Sequence, residues 1–357
     1  MPRLMTATGA FLLPISAGAL PRQILNLLII PMGTRREGGS EAVIMEDGLR
    51  NRFRERYNLL VVLGPTASGK TELAVRIART IGGEIISADS RQVYRGMDLG
   101  TGKDLSQYRD GETIVPYHLI DILDPCEEFS VFDYQRLFYR CLQEITKRAT
   151  IPLLVGGSGL YLDAVIRGYR MSAVPENSDL RENLEGAAME SLRRRLRAIS
   201  PEVHNKTDLL ERKRLIRAIE IAEFNRDQPC HALDRIPISP FVMGIRCERE
   251  ALRRKITARL HSRLAAGLVE EVQSLHEGGI AWERLDSFGL EYRYIARYLQ
   301  GRMTHEEMVR TLTTRIHQFA KRQETWFRRM ERNGVRIHWI EGPDEARAIA
   351  LIDGLTT

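Results

Sequence analysis

Only four cysteines occur in 357 residues, Cys126, Cys141, Cys230 and Cys247, and none forms a C-x-x-C pair. That spacing argues against a zinc motif, and so few thiols in a chain this long do not make a disulfide framework. A reducing cytoplasm is the expected setting. No apolar run reaches the roughly 18 residues of a transmembrane helix, so no membrane span is expected. No internal repeat or low-complexity tract is present. What the chain does have is length enough for two domains and a sizeable core, with an ordinary globular balance of 43% hydrophobic and 28% charged residues. The net charge is +6, yet residues 246–336 alone hold 19 Lys+Arg against 12 Asp+Glu, a local +7. Residues 179–227 are nearly neutral but carry the clusters Arg193-Arg194-Arg195 and Arg212-Lys213-Arg214. Clustered arginine suits a polyanionic partner, nucleic acid first, although a solvated helix face has the same composition.

The most informative segment is Gly64-Pro65-Thr66-Ala67-Ser68-Gly69-Lys70-Thr71. It follows the apolar run Leu59-Leu60-Val61-Val62-Leu63 and precedes a helical pattern from Glu72. Strand, glycine loop, Lys-Thr and helix together make a P-loop. The glycines let successive N–H groups converge, and the helix start adds its positive dipole end. Lys70 supplies a charge to a phosphoryl oxygen, and the Thr71 hydroxyl can hold Mg²⁺. The loop alone does not say which phosphate it holds.

Along the chain, short apolar strands at residues 84–88, 118–122, 151–155 and 241–245 alternate with helical patterns. This spacing predicts an α/β fold, a doubly wound, mostly parallel sheet of P-loop type. Ligands of such sheets bind at the carboxyl ends of strands, where the loop, Asp89 and the turn Gly156-Gly157-Ser158-Gly159 all fall. The core is expected at 57–175 and 233–345, with a helical insertion at 176–232 and a helical carboxyl-terminal part. There, one helical pattern covers 252–272 and another covers 304–330. Residues 1–56 read as a leader, disordered or non-native, with Met45 a plausible start.

Asp89, at a strand end facing a phosphate site, suits a general base, a Mg²⁺ ligand or a turn cap; position does not separate these. Thr66 can donate its hydroxyl to a leaving phosphate or have no special role. Arg259, with Lys255 and Arg263 at i±4, forms a basic row fitted to a diphosphate or a nucleic-acid backbone, or to solvent. His118 reads as a structural hydrogen-bonding residue.

The P-loop is followed by Ser87-Ala88-Asp89-Ser90-Arg91-Gln92-Val93-Tyr94-Arg95-Gly96-Met97-Asp98-Leu99-Gly100-Thr101 and Leu154-Val155-Gly156-Gly157-Ser158-Gly159-Leu160-Tyr161. Then come Arg212-Lys213-Arg214-Leu215-Ile216-Arg217-Ala218-Ile219-Glu220 and Ala320-Lys321-Arg322-Gln323-Glu324-Thr325-Trp326-Phe327. In this order the blocks resemble the tRNA dimethylallyltransferase family, bacterial type, over nearly everything beyond the leader. The resemblance implies a soluble, monomeric cytoplasmic enzyme. It transfers a dimethylallyl group from dimethylallyl diphosphate to N6 of the adenosine just 3′ of the tRNA anticodon, releasing diphosphate. By motif, Asp89 accepts the N6 proton, and Thr66 and Arg259 stabilise the leaving diphosphate. Gly64, Pro65, Thr66, Ala67, Ser68, Gly69, Lys70 and Thr71 cradle that diphosphate, with Mg²⁺ held through Thr71. The anticodon stem-loop meets Asp89, Ser90, Arg91, Gln92, Ser158, Arg181, Lys213, Arg214, Leu215, Ile216 and Arg217. Phe288-Gly289-Leu290-Glu291-Tyr292 stands where the family commonly carries a Gly-Tyr pair. The alternatives are a P-loop kinase of a small metabolite, which would bind ATP, or prenylation of free adenine nucleotides.

Overall fold

A computed structural model describes residues 40–110, 113–200, 209–227 and 235–354. The amino-terminal part of the expected leader, residues 1–39, lies outside them. Residues 40–56, the rest of that stretch, are described. They form helix α1 (Ser40–Arg56), which places Leu49 and Phe53, four residues apart and so on one face, in the hydrophobic core.

Among the described residues the chain divides into two compact units, one of 171–200 and 209–227 and the other of 40–110, 113–170 and 235–354. The larger unit is built on a six-stranded sheet of β1 (Leu59–Leu63), β2 (Gly83–Ala88), β3 (Tyr117–His118), β4 (Ile151–Gly156), β5 (Pro240–Arg246) and β6 (Ile337–Glu341). The strand order is β3-β2-β4-β1-β5-β6, with every pairing parallel. All of β1, β2 and β4 is buried, as expected of parallel strands covered on both faces. Helices α2 (Lys70–Ile81), α3 (Val131–Lys147) and α4 (Gly159–Ile166) follow β1, the β3 region and β4. A capping box of Ser130 and Asp133 starts α3.

The expected strand over 118–122 is cut short. Only Tyr117–His118 pair with β2, because Leu119 and Asp121 take positive φ and turn the chain away. His118 Nε2 lies 2.7 Å from Glu84 Oε2, a structural pairing.

In the smaller unit, helices α5 (Ser178–Glu185), α6 (Met189–Ile199) and α7 (Arg212–Asp227) share a core of Leu184, Leu192, Leu196, Leu215, Ile216 and Ile219. After β5 the larger unit continues with α8 (Arg249–Ala265) and α9 (Leu268–Glu277). These come from the single expected pattern, divided where Gly267 takes φ +100°. Then follow α10 (Trp282–Ser287), α11 (Leu290–Leu299), the long α12 (His305–Arg332) and, after β6, α13 (Glu345–Asp353).

Candidate active site

Three strand ends meet in register. Leu63 of β1 and Ala88 of β2 both pair with Gly156 of β4. The P-loop, Asp89 and the glycine turn therefore leave the sheet side by side. A Cβ on Gly156 would lie 2.3 Å from the Ala88 carbonyl oxygen, so only glycine permits this approach. Two hydrogen bonds tie the loops, Ser158 N–H to Ala88 O and Ser90 N–H to Ser158 Oγ, both at 3.3 Å.

The P-loop bends through positive φ at Ala67 and Gly69, and Gly69 caps α2. Two cavities open above it. One, of 240 Å³, is lined by Thr66, Lys70, Thr71, Asp89, Asp104 and Arg259, among others. The other, of 490 Å³, shares Thr66, Asp89 and Arg259 and adds Ser158, Glu291 and Trp326. The Arg259 guanidinium, carried in by α8, donates to Thr66 Oγ1. The Asp89 carboxylate accepts from Arg91 N–H at 2.9 Å, an Asx turn that leaves its second oxygen free of that bond.

The site is rich in positive charge. Burial, then the Arg259 guanidinium, pushes Lys70 down to about 8. Burial, then the Arg263 guanidinium, pushes Arg259 down to about 10. Burial raises the Glu291 carboxyl. Such a site gains most from an entering polyanion, whose charge offsets the mutual repulsion of the cations.

Several contributors are not obvious from the sequence. Gln323, nearly fully buried on α12, accepts from Thr66 N–H at 2.8 Å and donates to Gly157 O at 2.9 Å, locking P-loop to glycine turn. Glu271 accepts the N–H groups of Asp98, Leu99 and Gly100, and the Tyr292 hydroxyl at 2.7 Å. Buried Lys103 binds Asp98, Asp121 and Tyr94 O. Together Glu271 and Lys103 fix the segment after Gln92, whose side chain bridges Ser87 Oγ and Gly102 O. A buried polar residue within a helical repeat, as at Gln323, was the available signal.

The expected tRNA residues of the smaller unit do not share one environment. Lys213 and Arg214 are exposed. Leu215 and Ile216 are buried in the helical core, because one side of α7 faces inward, and their side chains are not available to RNA. Arg181 and Arg217 are engaged with Glu220, which also accepts from Asn177 N–H. Burial alone would raise the Glu220 carboxyl; the hydrogen bonds from Arg217, Asn177 and Arg181 outweigh it and hold it below its ordinary value.

The IPP transferase family profile matches residues 92–330, and the isopentenyl transferase profile matches residues 57–113. A tRNA dimethylallyltransferase 1 of Syntrophus aciditrophicus is 59% identical over 293 residues, 80% of this chain and 94% of the relative. A tRNA dimethylallyltransferase 2 of Trichlorobacter lovleyi is 56% identical over 299 residues, 83% of this chain and 97% of the relative. Among solved structures, a tRNA isopentenylpyrophosphate transferase of Bacillus halodurans superposes with a TM-score of 0.61 at 35% identity, covering 84% of this chain and 95% of that one. A eukaryotic dimethylallyltransferase acting on tRNA superposes with a TM-score of 0.69 at 20% identity, a likeness of fold, over 83% of this chain and 79% of that one.

Proposed function

The chain belongs to the tRNA dimethylallyltransferase family, and from that we propose how its site works. The enzyme transfers the dimethylallyl group of dimethylallyl diphosphate to N6 of the adenosine 3′ of the anticodon. The observation that carries this reading is the Arg259–Thr66 hydrogen bond, which closes α8 onto the P-loop beside the cavity that holds Asp89.

The allylic C1–O bond breaks, and diphosphate leaves with the bonding pair. Positive charge develops on the allylic carbon while N6 attacks it. Stabilising the leaving anion and positioning the two reactants are therefore the main tasks. Lys70, the loop N–H groups, Thr66 and Arg259 bind the anion. Asp89 accepts the N6 proton through its carboxylate. The adenine leaves its stack to reach the cavity, as chemistry on a base generally demands. Lys213 and Arg214 supply exposed cations for the stem-loop backbone.

Mg²⁺ fits this arrangement. Among the described residues no group of three or more His, Cys, Asp or Glu is arranged to hold a metal. Mg²⁺ commonly keeps several waters and needs few protein ligands beside phosphate oxygens. The Thr71 hydroxyl, lining the smaller cavity with Lys70 and Asp89, is such a ligand. The ion would supply countercharge to the diphosphate.

Incubating the protein with tRNA and labelled dimethylallyl diphosphate tests the reading. Label is expected on the adenosine after the anticodon, with no ATP requirement. ATP consumption with unlabelled tRNA would favour the kinase alternative, and label on free adenine nucleotides alone the other.

A further inference from the structure

Arg263 stands one turn beyond Arg259 on α8, with only 8% of the residue exposed. Gly102, at φ +66°, makes room for it: a Cβ there would fall 1.9 Å from Arg263 Nη2. The side chain lines the larger cavity together with Thr66, Asp89, Arg259 and Glu291. Nη2 lies 3.6 Å from Asp104 Oδ2, close enough for an ion pair, yet it has no hydrogen-bond partner among the described residues. Asp104 and Gly102 in turn line the P-loop cavity beside Lys70 and Thr71. The guanidinium thus sits against the wall of one cavity while lining the other. A buried guanidinium nitrogen left without an acceptor is costly, and a site retains it readily when a ligand supplies the acceptor.

We propose that Arg263 is a second guanidinium for the departing diphosphate, donating to phosphoryl oxygen beside Arg259 and Lys70. This deepens the dimethylallyl-transfer reading and rests on it. A purely structural role as the counter-ion of Asp104 accounts less well for the geometry. Asp104's side chain is 45% exposed and its pair with Arg263 is longer than a hydrogen bond, whereas a guanidinium serving a carboxylate usually closes a short fork. The charge balance points the same way. Burial and the neighbouring guanidiniums of Arg259 and Arg263 push Lys70 down to about 8. Three cations sharing one space repel each other until a polyanion enters, and diphosphate carries several negative charges.

The test is calorimetric titration of inorganic diphosphate, with Mg²⁺ in excess, into the wild type, Arg263→Met and Arg263→Gln, alongside filter binding of tRNA. Diphosphate affinity is expected to fall about tenfold or more in both variants, the usual scale for a lost charge-assisted hydrogen bond. Affinity for tRNA should stay within about twofold. Should Arg263→Met lose its fold, the more polar Arg263→Gln carries the same measurement. Folded variants with wild-type diphosphate affinity would overturn the assignment, whatever their turnover. A wild type that binds no diphosphate would instead sink the transfer reading itself, so the two failures are distinct.

Discussion

The Arg259 guanidinium donates to Thr66 Oγ1 across 193 residues of chain. The bond joins a cation of α8 that lines both cavities to the P-loop residue that Gln323 ties to the glycine turn, so each side chain orients the other. Arg259→Ala is expected to lower single-turnover transfer by roughly 10²–10³, the range for removing one donor from a developing anion. Thr66→Ala should cost less. The double variant should fall close to Arg259→Ala alone, because residues that act as a unit are not additive. Independent, multiplying losses in a double-mutant cycle would separate the two roles.

Asp89 is held by its own turn through Arg91 N–H, and asparagine at this position keeps the accepting oxygen. Asp89→Asn should therefore leave the fold and tRNA affinity unchanged while removing the proton acceptor. Single-turnover rates are expected to fall about 10² or more, within the usual span of general-base loss. Equal rates for the two proteins would assign Asp89 to the turn alone.

Lys70 gives a pH signature. Its value of about 8 lies below the ordinary 10.5, burial being the first cause and Arg259 the second. In the free protein, Lys70 holds its proton below about 8, so diphosphate binding is expected to be strongest there. Affinity should weaken as pH rises through that value. Stability moves the other way. Between about 8 and 10.5 the unfolded chain binds the proton that the folded chain has released, so this residue's contribution to stability rises with pH across that window. Lys70→Met should abolish both trends. The difference between wild type and variant, in calorimetric affinity and in melting temperature, cancels the titration of diphosphate itself. A flat difference curve from about pH 7 to 10 would contradict the assignment.

Much of this was legible because it is local. The P-loop strand and helix, the apolar strands and the basic row on α8 all follow from periodicity and glycine placement within short windows. Register then brings Leu63, Ala88 and Gly156 together, so the carboxyl-edge expectation needed only the parallel pairing. What was missed depends on long-range interactions. The shortened β3 depends on the turn made by Leu119 and Asp121, with Asp121 held by distant Lys103. Helix α1 is ordered by burying Leu49 and Phe53 among residues far along the chain. Gln323 acts between two loops from 166 and 257 residues away, a relationship no local pattern carries.

The block 212–217 is where a motif and its geometry part most clearly, and it yields a stability test as well as a binding one. Leu215 is fully buried among Leu184, Leu192, Leu196 and Ile219. Leu215→Ala should destabilise this helical unit by about 2–5 kcal/mol, the cost of a core truncation. Lys213 and Arg214 are exposed, and Arg214 pairs at the surface with Glu211, so their removal should leave the unit's stability nearly unchanged. The Lys213→Ala, Arg214→Ala double variant should instead weaken tRNA binding and flatten its dependence on salt, since removing a cation that neutralises a phosphate takes about one unit off the slope. Thermal melts and salt titrations on the same proteins separate the two effects. Loss of tRNA affinity in a folded Leu215→Ala, with none in the double variant, would return tRNA binding to the apolar residues.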